Sequence, residues 1–200
     1  MMKFLLILLV AFSFTFASAE FEEIKAQYFK SYDYEQMGKY AEAIKVLSPL
    51  YGKYPKGYTL NLRFGWLFYL DKKYNDSIKY YKQASLINPY ALDPKLGLIR
   101  VYLDAYSFDD AQMVANQLIK IDYYNYYANL YLTKALIAQK KYDVATEMIS
   151  KMLALYPTDV SYLEQLAIVY KQTNSKYLQE LYEDILVLDP NNVLVRSAAK

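Results

Sequence analysis

Chemistry in this chain would have to come from carboxylates, lysines, arginines and tyrosines, because its 200 residues include no cysteine and no histidine. That removes disulfides, thiolate and imidazole metal sites, cysteine nucleophiles and histidine acid–base relays, and with them most catalytic constellations. The adjacent carboxylates Asp109-Asp110 and Glu22-Glu23 come nearest to an acid–base or calcium site. Asp109-Asp110 opens a helical pattern, where acidic groups complement the helix dipole, so the pair reads as structural. Phosphate-binding loops, dinucleotide fingerprints and calcium loops are absent from the sequence. The expectation is no catalytic residue, no metal and no cofactor. What remains is contact chemistry, carried by 25 tyrosines, nine phenylalanines and the single Trp66. With 23 Lys+Arg against 21 Asp+Glu, the chain is too nearly neutral for a general binder of nucleic acid or anionic membrane.

The elements that must position these side chains begin after a leader. Lys3 is followed by an uncharged apolar stretch from Phe4 to Phe16, then by Ala17-Ser18-Ala19 and acidic Glu20, Glu22 and Glu23. This is the layout of a secretory signal peptide with cleavage after Ala19. The uncharged run from Phe4 to Ala19 is shorter than the ~20 residues a spanning helix needs, so residues 1–19 read as a removable address and residues 20–200 as one domain. An exported, periplasmic protein without cysteine avoids stray disulfides and has no residue for a lipoprotein anchor.

Pro55, Pro89 and Pro157 lie on a 34-residue grid whose missing node is Tyr123, and Pro190 falls one residue before the next node. Ahead of each node an aromatic (Tyr40, Tyr74, Phe108, Tyr142) precedes a small residue (Ala43, Ser77, Ala111, Ala145) by three positions, all on the same grid. Few glycines and prolines inside a 55% hydrophobic chain complete the picture of a helical protein.

The pattern resembles the tetratricopeptide repeat family, whose unit is a 34-residue helix–turn–helix. The resemblance covers about 24–192, with repeats at 24–57, 58–91, 92–125, 126–159 and 160–192. It implies an all-α, right-handed superhelical solenoid of about five repeats and ten helices. Within each A helix, positions 4, 7, 8 and 11 share one face at 3.6 residues per turn. A small residue at position 8 lets the B helix approach closely. Ser31 and Gly65 satisfy that demand, whereas Ile99 and Thr133 depart from it. Gln27 and Lys30 put polar groups where repeat 1 expects core. The fifth repeat loses one residue around Thr173–Lys176. Asp93-Pro94 reads as the cap and first-turn proline of repeat 3, and Thr158 or Asp159 as the cap of repeat 5.

Positions 2, 5, 9 and 12 of the A helices form a second face, which by resemblance lines the concave, peptide-binding side. Position 5 carries Leu62, Leu96 and Leu130 in register, the mark of packing between A helices. Positions 9 and 12 do not repeat. Tyr28, Tyr32, Trp66 and Tyr69 are expected to make an aromatic patch over repeats 1 and 2, beside a basic step of Arg100 and Lys134 with Leu103 and Tyr127. The bland alternative for the rings is core filling. Tyr32 stands where a two-carboxylate clamp of the family would need Asn, which disfavours that ligand class. Tyr123, Tyr124, Tyr126, Tyr127 and Tyr131 form a second cluster, of which one or two rings must face solvent or a partner. With only Val193–Lys200 after the last repeat, Leu181, Ile185 and Leu188 are expected to be exposed, offering a second contact surface for self-association.

These readings converge on a non-enzymatic envelope scaffold that binds a segment or helix of another envelope protein, possible settings being pilus or secretion-system assembly. They imply no nucleic-acid partner and no membrane insertion after cleavage. The alternative is a periplasmic solute- or carbohydrate-binding helical protein, which would need a closed pocket with convergent polar groups.

Overall fold

The computed structural model describes residues 20–198, and the leader reading for residues 1–19 lies outside them. The described residues form eleven helices and no strand: α1 (20–36), α2 (Tyr40–Lys53), α3 (Tyr58–Leu70), α4 (Tyr74–Ile87), α5 (Asp93–Asp104), α6 (Phe108–Ile121), α7 (Tyr126–Ala138), α8 (Tyr142–Leu153), α9 (Val160–Gln172), α10 (Leu178–Leu188) and α11 (Val193–Ala198). Two compact units divide between Pro89 and Tyr90, the first holding α1–α4 and the second α5–α11.

The 34-residue grid is written into the backbone. Gly38, Lys72, Tyr106, Lys140 and Asn174 all have φ between 52° and 70°, and each ends an A helix. The next residue's N–H returns to the carbonyl at position 11: Lys39 to Tyr34, Lys73 to Phe68, Ser107 to Tyr102, Lys141 to Leu136 and Ser175 to Tyr170, at 2.8–2.9 Å. This six-residue closure, with a left-handed residue inside it, satisfies carbonyls the helix end would leave bare. Only at Gly38 is the left-handed conformation free of a Cβ clash; Lys72, Tyr106 and Lys140 adopt it against their preference. Asn174 still sits on the grid, so the residue missing from the fifth repeat is lost after it.

The small residues do what their spacing demands. Ala43, Ser77, Ala111 and Ala145 have no exposed surface. Ser77 donates its hydroxyl to the Gly65 carbonyl at 2.6 Å, and a Cβ on Gly65 would meet the Tyr81 ring at 2.6–2.8 Å. Ile99 and Thr133, the departures at position 8, are fully buried as well. In the first unit the core is Ala43, Leu47, Leu50, Leu60, Phe64 and Leu67, with Phe64 and Phe68 stacked on Tyr80 at 5.0 and 5.2 Å.

Position 4, expected on the apolar face, is instead a polar clamp in repeats 2, 3 and 4. The Asn61 amide donates to the carbonyls of Pro55 and Gly57 at 2.9 Å. Asn129, 68 residues on, makes the same pair of bonds to Tyr123 at 3.0 Å and Asn125 at 2.8 Å. Lys95 reaches Ala91 O at 3.1 Å. The first turn of an A helix lies beside the loop that enters it, so a donor there satisfies loop carbonyls that would otherwise be buried unpaired.

One helix start agrees with expectation, while another and the C-terminal end differ in detail. Asp159 caps α9 as expected, accepting from Tyr162 N at 3.1 Å. In α5, however, Leu92 is already helical and its carbonyl accepts from Leu96 N at 2.9 Å. Asp93 and Pro94 therefore fall inside the first turn, where a carboxylate still complements the dipole and a proline still costs no hydrogen bond. At the C-terminus, α11 is an eleventh helix that the repeat count of ten leaves out. Asn192 caps it through Val195 N at 3.1 Å and is itself tied to Glu164 at 2.7 Å. Val195 packs with Leu163, Ala167, Leu181 and Ile185. Leu181 and Ile185 are consequently buried rather than exposed, and of the expected C-terminal face only Leu188 remains open, next to Val187 and Val193.

Two substitutions test this architecture by denaturant unfolding of residues 20–200. Gly65→Ala forces the Tyr81 ring to move and should cost about 1–3 kcal/mol; an unchanged midpoint would mean the crossing is not tight. Lys140→Gly should stabilise by about 0.5 kcal/mol, because relief of the left-handed strain outweighs the added chain entropy.

Candidate protein-binding face of the A helices

Glu35, in the last turns of α1, organises the first unit's part of this face. One carboxylate oxygen accepts from the Trp66 indole N–H at 2.6 Å, and the other pairs with Arg63. Arg63 is 7% exposed, donates to Ser31 Oγ at 3.3 Å and lays its guanidinium over the Tyr32 ring at 3.8 Å. The buried cation is thus matched by a carboxylate, a hydroxyl and a π face, the compensation that burial of charge requires. Tyr32 stays 47% exposed, so one face of its ring is committed to Arg63 while solvent reaches the rest. Trp66 packs against the unit's core on one side and against Tyr69 at 5.6 Å on the other. Tyr28 is half-buried against the same core, and that burial pushes its phenol above the usual tyrosine range.

Among the four rings expected here, the structure joins Tyr32, Trp66 and Tyr69 through contacts and the Glu35–Arg63 pair, and assigns Tyr28 and much of Trp66 to the core. Arg63 is the residue that sequence reasoning missed. Its signal was present: it is the only charge in the apolar helix α3, and such a residue needs a partner.

Arg100, Leu103, Tyr127 and Lys134 belong to the second unit, on α5 and α7. Arg100 Nε and Nη2 donate to the Tyr131 hydroxyl at 3.4 and 3.2 Å, with the guanidinium 5.9 Å from the ring centroid. Tyr127 is 54% exposed and lies 6.1 Å from Tyr131. Lys134 is exposed and Leu103 half-buried. The first unit pairs Tyr32 with Arg63 and the second pairs Arg100 with Tyr131, each across 31 residues, so one A-helix junction holds the same Arg–Tyr contact with its members exchanged. The surroundings differ: Glu35 binds Arg63 and Trp66 in the first unit, whereas exposed Tyr127 and Lys134 accompany the Arg100–Tyr131 pair in the second.

The tyrosine cluster divides by role. Tyr126 donates its hydroxyl to Asp159 at 3.0–3.1 Å and stands edge-on to Tyr162 at 5.4 Å. Tyr162 is fully buried and donates to the Tyr126 carbonyl at 2.7 Å. Burial raises the phenol of each above the ordinary tyrosine range, so both stay neutral donors. Tyr123, Tyr124 and Tyr127 are all more than half exposed, one ring more than expected. Among the described residues there is no group of three or more acidic, cysteine or histidine side chains that could hold a metal ion, and no helix long and apolar enough to cross a membrane. The arrangement is suited to contact: rigid rings and fixed cations, with apolar area available at small entropic cost.

No family model matches the sequence, and neither does any curated protein. Solved structures do match the fold. A tetratricopeptide repeat protein from Parabacteroides merdae ATCC 43184 is similar at a TM-score of 0.78 and 17% identity, over 88% of this chain and 70% of that one. MamA (residues 41 to the end) from Desulfovibrio magneticus RS-1 is similar at 0.75 and 14% identity, over 86% and 97%. YrrB, described as a TPR protein with an unusual peptide-binding site, is similar at 0.71 and 13% identity, over 93% and 97%. Together with the five left-handed turns at 34-residue spacing, these likenesses establish the fold: the chain is built of tetratricopeptide-type helix–turn–helix repeats.

Proposed function

We propose that this chain is an exported, non-enzymatic scaffold that holds an extended segment or helix of another envelope protein against its A helices, in the assembly of a machine such as a pilus or secretion system. One observation carries the reading: interface-type side chains occupy A-helix positions 9 and 12, where the core pattern does not call for them, and neighbouring groups fix their orientation. On the second unit, exposed Tyr127 and Lys134 flank the Arg100–Tyr131 pair, a surface that favours a segment with an acidic group and an apolar anchor. The peptide-binding site named for YrrB is a precedent for this use of the fold. Export rests on the layout of residues 1–19.

The test is site-specific photocrosslinking in cells that express the full 200-residue chain, with the probe at Tyr127 or Lys134 and, as control, at Met113 on α6, which is 51% exposed. The expected result is a discrete adduct with an envelope protein from positions 127 and 134 and none from 113. Equal yield at 113, or no adduct at 127 and 134, would contradict the reading. N-terminal sequencing of the same sample should begin at Glu20; an intact Met1 would refute export by cleavage.

A further inference from the structure

The junction between α6 and α7 lacks the proline found at Pro55, Pro89 and Pro157, yet keeps the turn. Asn125 N donates to Asp122 O at 3.1 Å, as Gly57 N does to Tyr54 O at 3.0 Å, 68 residues earlier. The position-4 asparagine grips the node carbonyl in both places, Asn61 on Pro55 and Asn129 on Tyr123. Two components differ: Asn125, where repeat 2 has Gly57, accepts from Ala128 N and donates to Asp122 Oδ2, both at 3.0 Å, and the two position-4 asparagines use their side-chain oxygens differently. Asn61 Oδ1 is buried with no hydrogen-bond partner, whereas Asn129 Oδ1 accepts from Lys151 Nζ at 2.5 Å. The same ammonium reaches the Tyr123 carbonyl at 3.5 Å and lies 4.1 Å from the Tyr123 ring centroid and 5.9 Å from that of Tyr124. The residue on the grid equivalent to Lys151 in repeat 2 is Gln83.

We propose that Lys151 is a latch that replaces the missing proline: anchored on α8, it pins the Tyr123–Asn129 turn and fixes the exposed Tyr123 and Tyr124 rings, so that the loop opens when its charge is removed. A proline restricts the unfolded and open loop through φ, and a cation held by a carbonyl, an amide oxygen and a π face restrains the same loop through space. Burial lowers the Lys151 pKa, in keeping with an ammonium drawn into the fold rather than left in water. The latch joins segments 22–28 residues apart, so it acts only on a folded second unit.

The experiment is amide hydrogen exchange across residues 122–129 of the full mature chain, comparing the unaltered protein with Lys151→Met, Tyr123→Pro, their double variant and Lys151→Arg. Lys151→Met should speed exchange in this loop at least tenfold, with α9 and α10 unaffected. In the Tyr123→Pro background the same change should matter less than threefold, and Lys151→Arg should retain most protection. If Lys151→Met accelerates exchange equally with and without the proline, or not at all, the latch is refuted. Should Lys151→Met unfold the second unit globally, Lys151→Arg against Lys151→Gln in the Tyr123→Pro background decides the matter: a persistent large difference there contradicts the replacement of proline by lysine.

Discussion

Everything in this fold depends on how closely the two helices of a repeat can cross. At the α3–α4 crossing the Tyr81 ring occupies the space where a Cβ on Gly65 would be, and the Ser77 hydroxyl bonds the Gly65 carbonyl directly. At this crossing the absent side chain of Gly65 leaves room for the Tyr81 ring and small Ser77 reaches the backbone, and interiors packed to crystal density do not tolerate an added methyl without displacement. Because each hairpin is thin, its remaining faces stay uncovered until neighbouring helices bury them. That need explains why the chain repeats at all.

The same spacing decides which side chains become contacts between repeats. Residues 28 to 31 apart meet across neighbouring A helices: Glu35 with Arg63 and Trp66, Tyr32 with Arg63, Arg100 with Tyr131. In the first unit these contacts are largely internal. Glu35 is occupied by two donors, Arg63 is sealed beneath Tyr32, and half of Trp66's role is packing. In the second unit the contacts leave Tyr127 and Lys134 outward. The aromatic patch and the basic step, which look alike as interface material in the sequence, therefore divide into a framework that holds the A helices in register and a surface that can meet a partner.

Much of this was legible in the residues. Ala43, Ser77, Ala111 and Ala145 marked the crossings, and the proline nodes marked the junctions, because both follow a period that local geometry imposes. What escaped were features set by neighbours distant in sequence. Nothing local says that Asn61 and Asn129 turn toward loop carbonyls, since an asparagine on an apolar stripe reads as an interruption until the loop beside it is known. Arg63 was legible as a lone charge in α3, but its partner Glu35 lies on another helix. The helix α11 spans only six residues, too short to show a period or to form without its Asn192 cap and the α9–α10 surface beneath it. Leu92 displaced Asp93 as the cap of α5, because a proline is as acceptable at the second helical position as at the first.

The division between framework and contact surface is the central claim. It is tested most directly by measuring, for Glu35→Ala and Tyr127→Ala side by side, the unfolding free energy and the calorimetric affinity for the segment of the crosslinked partner. Glu35→Ala should lose roughly 3 kcal/mol of stability by leaving Arg63 buried without its carboxylate, while molecules that remain folded bind unchanged. Tyr127→Ala should keep its stability within about 0.5 kcal/mol and bind at least tenfold more weakly. The opposite pattern, in which Tyr127 supports the fold and Glu35 the affinity, would contradict the account.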